Sequence, residues 1–396
     1  MGRHCTEGSL AAMGSAKAVG RVGVLAVALG IGTGLATMTG TPVARADSAL
    51  DNLRPNISVS AGGNTVIHSG SATATTSGKQ SLAIAVGKNS SATATGAHSG
   101  AVVIGNGSTA TATGGDGNTA IVIGKRSTAA AQDGNNNKAT VFGNDNTAYA
   151  GSGNSNKVSI VGNGNVASAR GGSFNTVVVR GTQNIGQAGC FTVTSDTCAN
   201  NSDHNTATVA GYGSEADAGG SQAGPDDFPG SHNRATARGE GAYAAAALGD
   251  GNTATARGNG TVASATDGDR NTASAKGEDS YAIAGLGNDN TATVNGKESS
   301  ATAGCAFGSY CGSGNTAIVT GDGSEAYAGR GEANTATVTG DMSSASAGCL
   351  LGCASGSDAN TATVNGDRSD ATAGPDDGDH DNVVVINGDD QSETRP

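Results

Sequence analysis

The sequence predicts an all-β fold, a single elongated β-solenoid or flattened β-roll of about 16 coils with a 19-residue period and two short strands per coil. Three observations carry this expectation. Glycines at 124, 143, 162 and 181, and again at 239, 258, 277 and 296, recur every 19 residues. Each closes a run such as NTATARG from Asn252, where Ala254 and Ala256 face one way and Thr253, Thr255 and Arg257 the other. A weaker run follows within each unit, as in STAAAQDG, NTAYAGSG and NVASARGG. Neither strand buries an apolar face alone, but stacked coils supply both a core and continuous backbone ladders.

Composition removes the competing folds. The 396 residues include 66 glycines, no tryptophan and only eleven phenylalanines and tyrosines, so a bulky globular core is excluded. Six prolines and the lack of a three-residue period exclude collagen. A helix is excluded because alternation of Thr and Ala has the wrong period and glycine interrupts it every nine or ten residues.

Taken in order, residues 1–46 read as an export signal. Lys17 and Arg21 precede an apolar run over 22–36, and Ala44-Arg45-Ala46 supplies a small-x-small cleavage signature. Residues 47–63 form an aperiodic lead-in, and the solenoid spans 64–388. Sixteen first-half glycines, from Gly70 to Gly388, mark its coils. The inward pairs are Ala-x-Val or Ala-x-Ala, for example Ala336 and Val338 against Ala326 and Ala328. The asparagines at 118, 137, 156 and 175, and at 252, 271 and 290, share one phase and are expected to form a ladder that satisfies the turns. The polar tail 389–396 is expected to fray, leaving 383–386 as a capping strand.

Extra sequence enters near 182–204, 220–232, 304–313, 348–359 and 374–381, always before the next Asn-led strand, so the insertions project from one edge. Three of the five contain a cysteine pair: Cys190 with Cys198, Cys305 with Cys311, and Cys349 with Cys353. Local disulfides are the expectation for an exported chain, although fifteen complete pairings stay open. Phe191, Phe307 and Tyr310 beside the cysteines, and Asp226, Asp227 and Phe228 in the cysteine-free loop, are the candidate partner-binding residues.

Charge narrows the partner class. Without Arg3, Lys17, Arg21, Arg45 and Glu7, 18 basic side chains face 33 acidic ones, net −15. Such a surface disfavours nucleic acid and anionic lipid. No integral membrane span is expected once the signal is cleaved. His68, His98, His204, His232 and His380 fall at different phases without a metal-binding triad, and no catalytic constellation stands out, so no enzyme activity or obligatory cofactor is expected. Oxygen-rich turns at 115–118, 143–146 and 287–290 suit weak local Ca²⁺ binding but lack the aspartate ladder of calcium-binding nonapeptide repeats.

Outward Thr-x-Thr pairs, such as Thr253 with Thr255 and Thr291 with Thr293, form an array compatible with ice binding. Tyr149, Tyr243, Tyr281 and Tyr327, in or beside second-half strands, suit carbohydrate contact. The stretch 87–114, with Ser91, Ala92 and Ala94 followed by Ala101, Val103 and Gly105, resembles the head repeats of trimeric autotransporter adhesins, the YadA-like heads. That resemblance implies a surface-associated adhesive β-roll in which these residues are structural. The signal and its ARAD junction resemble exported actinobacterial proteins. The functional expectation is a secreted or cell-wall-associated interaction protein, an adhesin binding an unknown protein or carbohydrate surface through its insertion-rich edge. Ice binding and a carbohydrate-active enzyme on a solenoid scaffold are the alternatives.

Overall fold

A computed structural model describes residues 55–189, 202–219, 230–304, 312–348, 357–374 and 379–395. It is a β-solenoid. The first strands are β1 (Ile57–Ala61), β2 (Asn64–Ser69), β3 (Thr73–Thr76) and β4 (Leu82–Val86). From there successive strands alternate between a front sheet that continues from β4 and a back sheet that continues from β3. Among the described residues the front sheet has 17 strands and the back sheet 16.

Stacking is parallel and in register. Lys138 lies opposite Lys157 in the front sheet and Thr147 opposite Val166 in the back sheet, each one period apart. Every insertion leaves this register intact: Thr176 faces Thr206, Thr206 faces Arg234, Thr291 faces Thr316, Thr335 faces Thr361, and Thr361 faces Val383. The enlarged corners all lie between a back strand and the next front strand. A one-residue slip within a strand would turn its apolar face outward, whereas a corner absorbs extra chain without that penalty.

The core is a column of small side chains. Ala254, Ala256, Ala336, Val338, Ala263, Ala265 and Ala328 are fully buried, as their alternation requires. Where the front strand carries two inward valines, Val177 and Val179, the opposing back strand replaces its first alanine with Gly186. A Cβ there would lie 2.6 Å from Val179 Cγ2 and 2.8 Å from Val177 Cγ1, so the glycine makes room for valine.

The corners explain the 19-residue clock. Gly124 and Gly143 hold φ of +155° and +124°, and a side chain on Gly124 would run into the carbonyl oxygen of Gly143 one coil on. Asparagine then closes the corner. Asn271 donates its N–H to Asn252 Oδ1 (2.9 Å), accepts the Asn290 N–H at 3.0 Å, and donates Nδ2 to the Gly287 carbonyl at 2.7 Å. The same link runs unbroken from Asn118 to Asn382. The opposite corner uses serine in the same way: Ser324 donates its N–H to Ser299 Oγ, and Ser343 to Ser324 Oγ, at 3.2 and 3.1 Å.

Both ends depart from the sequence expectation. Asn64–Ser69 is not the first parallel rung: Gly62 and Gly63, both at positive φ, fold β2 back antiparallel on β1, and β1 takes the stacking position against β4. β1 also covers the open edge of β3, because Ser58 Oγ accepts the Ala74 N–H at 3.0 Å and Asn56 Oδ1 accepts the Ser71 N–H at 2.7 Å. The lead-in is therefore an end cap. At the other end the polar tail completes a coil, with Ser392–Arg395 pairing in parallel with Asp370–Ala373. Glu393 and Arg395 occupy the register positions of Ala371 and Ala373 and pair with each other at 2.9 Å.

Candidate functional site

Cys190, Cys198, Cys305, Cys311, Cys349 and Cys353, together with Phe191, Asp226, Asp227, Phe228, Phe307 and Tyr310, lie outside the described residues. Beside two of the insertions the corners carry an aromatic stack that was not read from the sequence. Phe174 and His204 stack at 4.8 Å between ring centroids, and His204 and His232 at 4.9 Å. All three sit two residues before a stacked front strand, at φ near +60°. His204 and His232 therefore do not fall at different phases, as expected from the sequence: with Phe174 they share one, obscured because insertions spread the three positions along the chain.

The turn oxygens considered for calcium are engaged by neighbouring coils. Asp116 Oδ1 accepts the Ala97 N–H, Asn144 Oδ1 that of Lys125, and Asn288 Oδ1 that of Asp269, at 2.7 to 2.8 Å. Asp145 and Asp289 each pair with an arginine one coil earlier, Arg126 and Arg270, at 2.6 Å. Hydrogen bonding to these guanidiniums, with their charge, holds both carboxyls below their ordinary pKa. Among the described residues no group of three or more His, Cys, Asp or Glu is arranged to hold a metal. None contains a helix long and apolar enough to cross a membrane.

The outward front face divides along its length. In the later coils Thr206, Thr253, Thr272, Thr291, Thr316, Thr335 and Thr361 form one column, interrupted by Arg234. The earlier coils instead align Ile104, Ile123, Phe142 and Val161, each 40–47% exposed, along one margin of the sheet. Lys138 and Lys157 stand at the opposite margin of the same strands. Charge is divided similarly: residues 55–189 hold eight Lys and Arg against three Asp, while residues 190–396 hold nine against 28 acidic residues. The net charge of the whole chain concealed this reversal.

The back sheet contains a cavity of about 230 Å³. Gln187, Asp217, Ala245 and Ser264 follow one another in a single outward column, and Tyr243, Leu248, Thr266 and Asp267 are among the other lining residues. Ala245 is the small residue that opens the space. Gln187 Oε1 and Asp217 Oδ1 are both buried without a hydrogen-bond partner. Burial, aided by Glu215, pushes the Asp217 carboxyl up to about 7, and burial beside Asp217 raises the Tyr243 hydroxyl to about 12. Of the other tyrosines, Tyr149 donates to Asp133 Oδ2 at 3.0 Å, while Tyr281 is exposed two rungs beyond Tyr243.

A larger cleft of about 740 Å³ lies over the corners at Asp133, Ser152, Asn154 and Ser173. There Asn154 donates its N–H to Ser173 Oγ at 3.1 Å and accepts that of Asn135 at 2.8 Å, so coil stacking already occupies these groups. No protein-family model matches the chain, and no curated protein matches its sequence. The fold defines the class: an elongated β-solenoid repeat protein.

Proposed function

We propose that this chain is a secreted or cell-surface interaction scaffold, an adhesin that binds noncovalently and carries out no reaction. The observation that carries the reading is the apolar margin Ile104, Ile123, Phe142 and Val161 with Lys138 and Lys157 across the same strands. An aligned apolar column exposed on a flat sheet favours a binding role. Its lysines favour an acidic protein surface that also presents apolar side chains. The resemblance of residues 87–114 to adhesin head repeats supports the same reading, and the insertion-rich edge is its second contact region.

Retention of the purified chain on immobilised cell-envelope and host-matrix proteins tests it. Replacing Ile123 and Phe142 together by Ser leaves the core untouched and is expected to weaken retention at least tenfold, whereas Thr253→Ser with Thr255→Ser leaves it unchanged. Because Ile185–Gly189 is itself a back strand, exchange of residues 190–201 and 305–311 alone measures the edge separately. Full retention by the Ile123/Phe142 variant rejects the front-sheet contact. Ice binding is the second reading, favoured by the in-register threonine column; shaping of ice crystals by the purified chain would select it.

A further inference from the structure

We propose that the back-sheet cavity between Gln187 and Ser264 is a binding site for a single neutral sugar unit, a pyranoside held by hydrogen bonds from its hydroxyls. The site is built by one substitution in the stacking pattern. Asp217 and Ser264 flank Ala245 one rung before and one rung after it, so the short alanine leaves a gap with polar walls on both sides. Two rungs span roughly 10 Å, enough for one six-membered ring and too short for a second ring along that axis. At about 230 Å³ the cavity also lies below the size that accepts a drug-sized ligand.

The lining then selects by chemistry. Gln187 Oε1 and Asp217 Oδ1 are acceptors withdrawn from solvent without a donor. An apolar ligand would leave them unpaired, at the full desolvation penalty of each. No basic side chain lines the cavity, so an anion has no counter-charge. A molecule carrying several O–H donors pairs with both acceptors after a small turn of their side chains, and Ser264 offers a hydroxyl for its remaining oxygens, Thr266 Oγ1 already donating to Asp267 Oδ2 at 3.2 Å. Tyr243 provides an aromatic wall for the C–H face of the ring. Asp217, at about 7, gives up part of its charge near neutral pH, which accords with a neutral occupant, since a cation would draw the carboxyl into its ionised form; Asp267 is the other carboxyl in the lining. This site is on the opposite sheet from the apolar margin and does not depend on the adhesive reading.

Saturation-transfer difference NMR on the full chain provides the test, with the methyl glycosides of glucose, galactose, mannose and N-acetylglucosamine as probes. Methylammonium chloride and sodium acetate serve as the cationic and anionic alternatives. Expected is transfer to at least one glycoside, reduced at least fivefold in Ala245→Leu, which fills the cavity from its outward face, and in Asp217→Ala. In the native chain labelled with ¹³C-methyl alanine, the same glycoside must shift Ala245 and Ala247 before the core alanines, a readout independent of how the variants fold. Absence of transfer from all four glycosides overturns the proposal, as does undiminished transfer in a folded Ala245→Leu chain or a shift of other alanines first. Binding of methylammonium alone assigns the cavity to cations and equally overturns it.

Discussion

Single side chains set the tolerance of this fold, and Gly186 shows it most directly. Its missing Cβ is matched to Val177 and Val179, so Gly186→Ala overpacks one coil and is expected to cost about 1–3 kcal/mol. Val177→Ala introduced into that variant should restore part of the loss, and urea unfolding of the two singles and the double variant measures the coupling. Asp217 makes a prediction of a different kind. Its carboxyl lies at about 7 in the folded chain against an ordinary 3.8, so across that interval the folded state holds a proton that the unfolded state releases. Stability therefore declines as pH rises from about 4 to 7, by at most about 4 kcal/mol from this group, and it is unaffected by this group below that window. Asp217→Asn should flatten that part of the profile, as chemical denaturation at pH 4.5 and pH 8 would reveal.

At the scale of an element, the corner ladder holds the strands in phase. Asn271→Ala would strip the Asn290 N–H and the Gly287 carbonyl of their partners in a buried corner, a loss on the order of 2–5 kcal/mol. Asn271→Ser should cost less, because serine performs the equivalent link in the opposite corner. Thermal unfolding of the two variants ranks them; equal losses would show that the amide oxygen link contributes little. This ladder was legible in the sequence because Asn recurs at one phase, and the inward Ala and Val positions were legible from alternation alone. The ends were not. Asn64–Ser69 mimics a coil strand, and only the Gly62-Gly63 turn reveals that it folds back. Glu393 and Arg395 look like tail residues until register places them over the last alanines. The cavity was hidden for another reason: its walls come from coils separated by insertions, so Gln187, Asp217 and Ser264 have no common spacing in the chain, whereas Ile104, Ile123, Phe142 and Val161 required only reading the outward positions one column further.

Across the whole molecule, repetition separates architecture from recognition. Charge and surface chemistry change along the stack while the core and corners stay constant, so one scaffold presents an apolar and basic margin in its early coils and threonine columns later. The same constancy makes a coil removable. Deleting residues 271–289 joins Arg270 to Asn290, with the Asn290 N–H then facing Asn252 Oδ1 and Thr291 stacked on Thr253. That chain should keep cooperative unfolding with a midpoint within about 5 °C of the parent, followed by circular dichroism, since each coil depends on its neighbours alone. Deleting Ala273 from within its strand should instead lower the midpoint much further, because Ser274 would then face the core and Ala275 the water. Between the hairpin at one end and the Glu393–Arg395 pair at the other, size is thus a count of units, changing by roughly 4.8 Å for each coil gained or lost. A gene that duplicates or drops such a unit resets how far the later surfaces stand from the first, as marks move along a ruler.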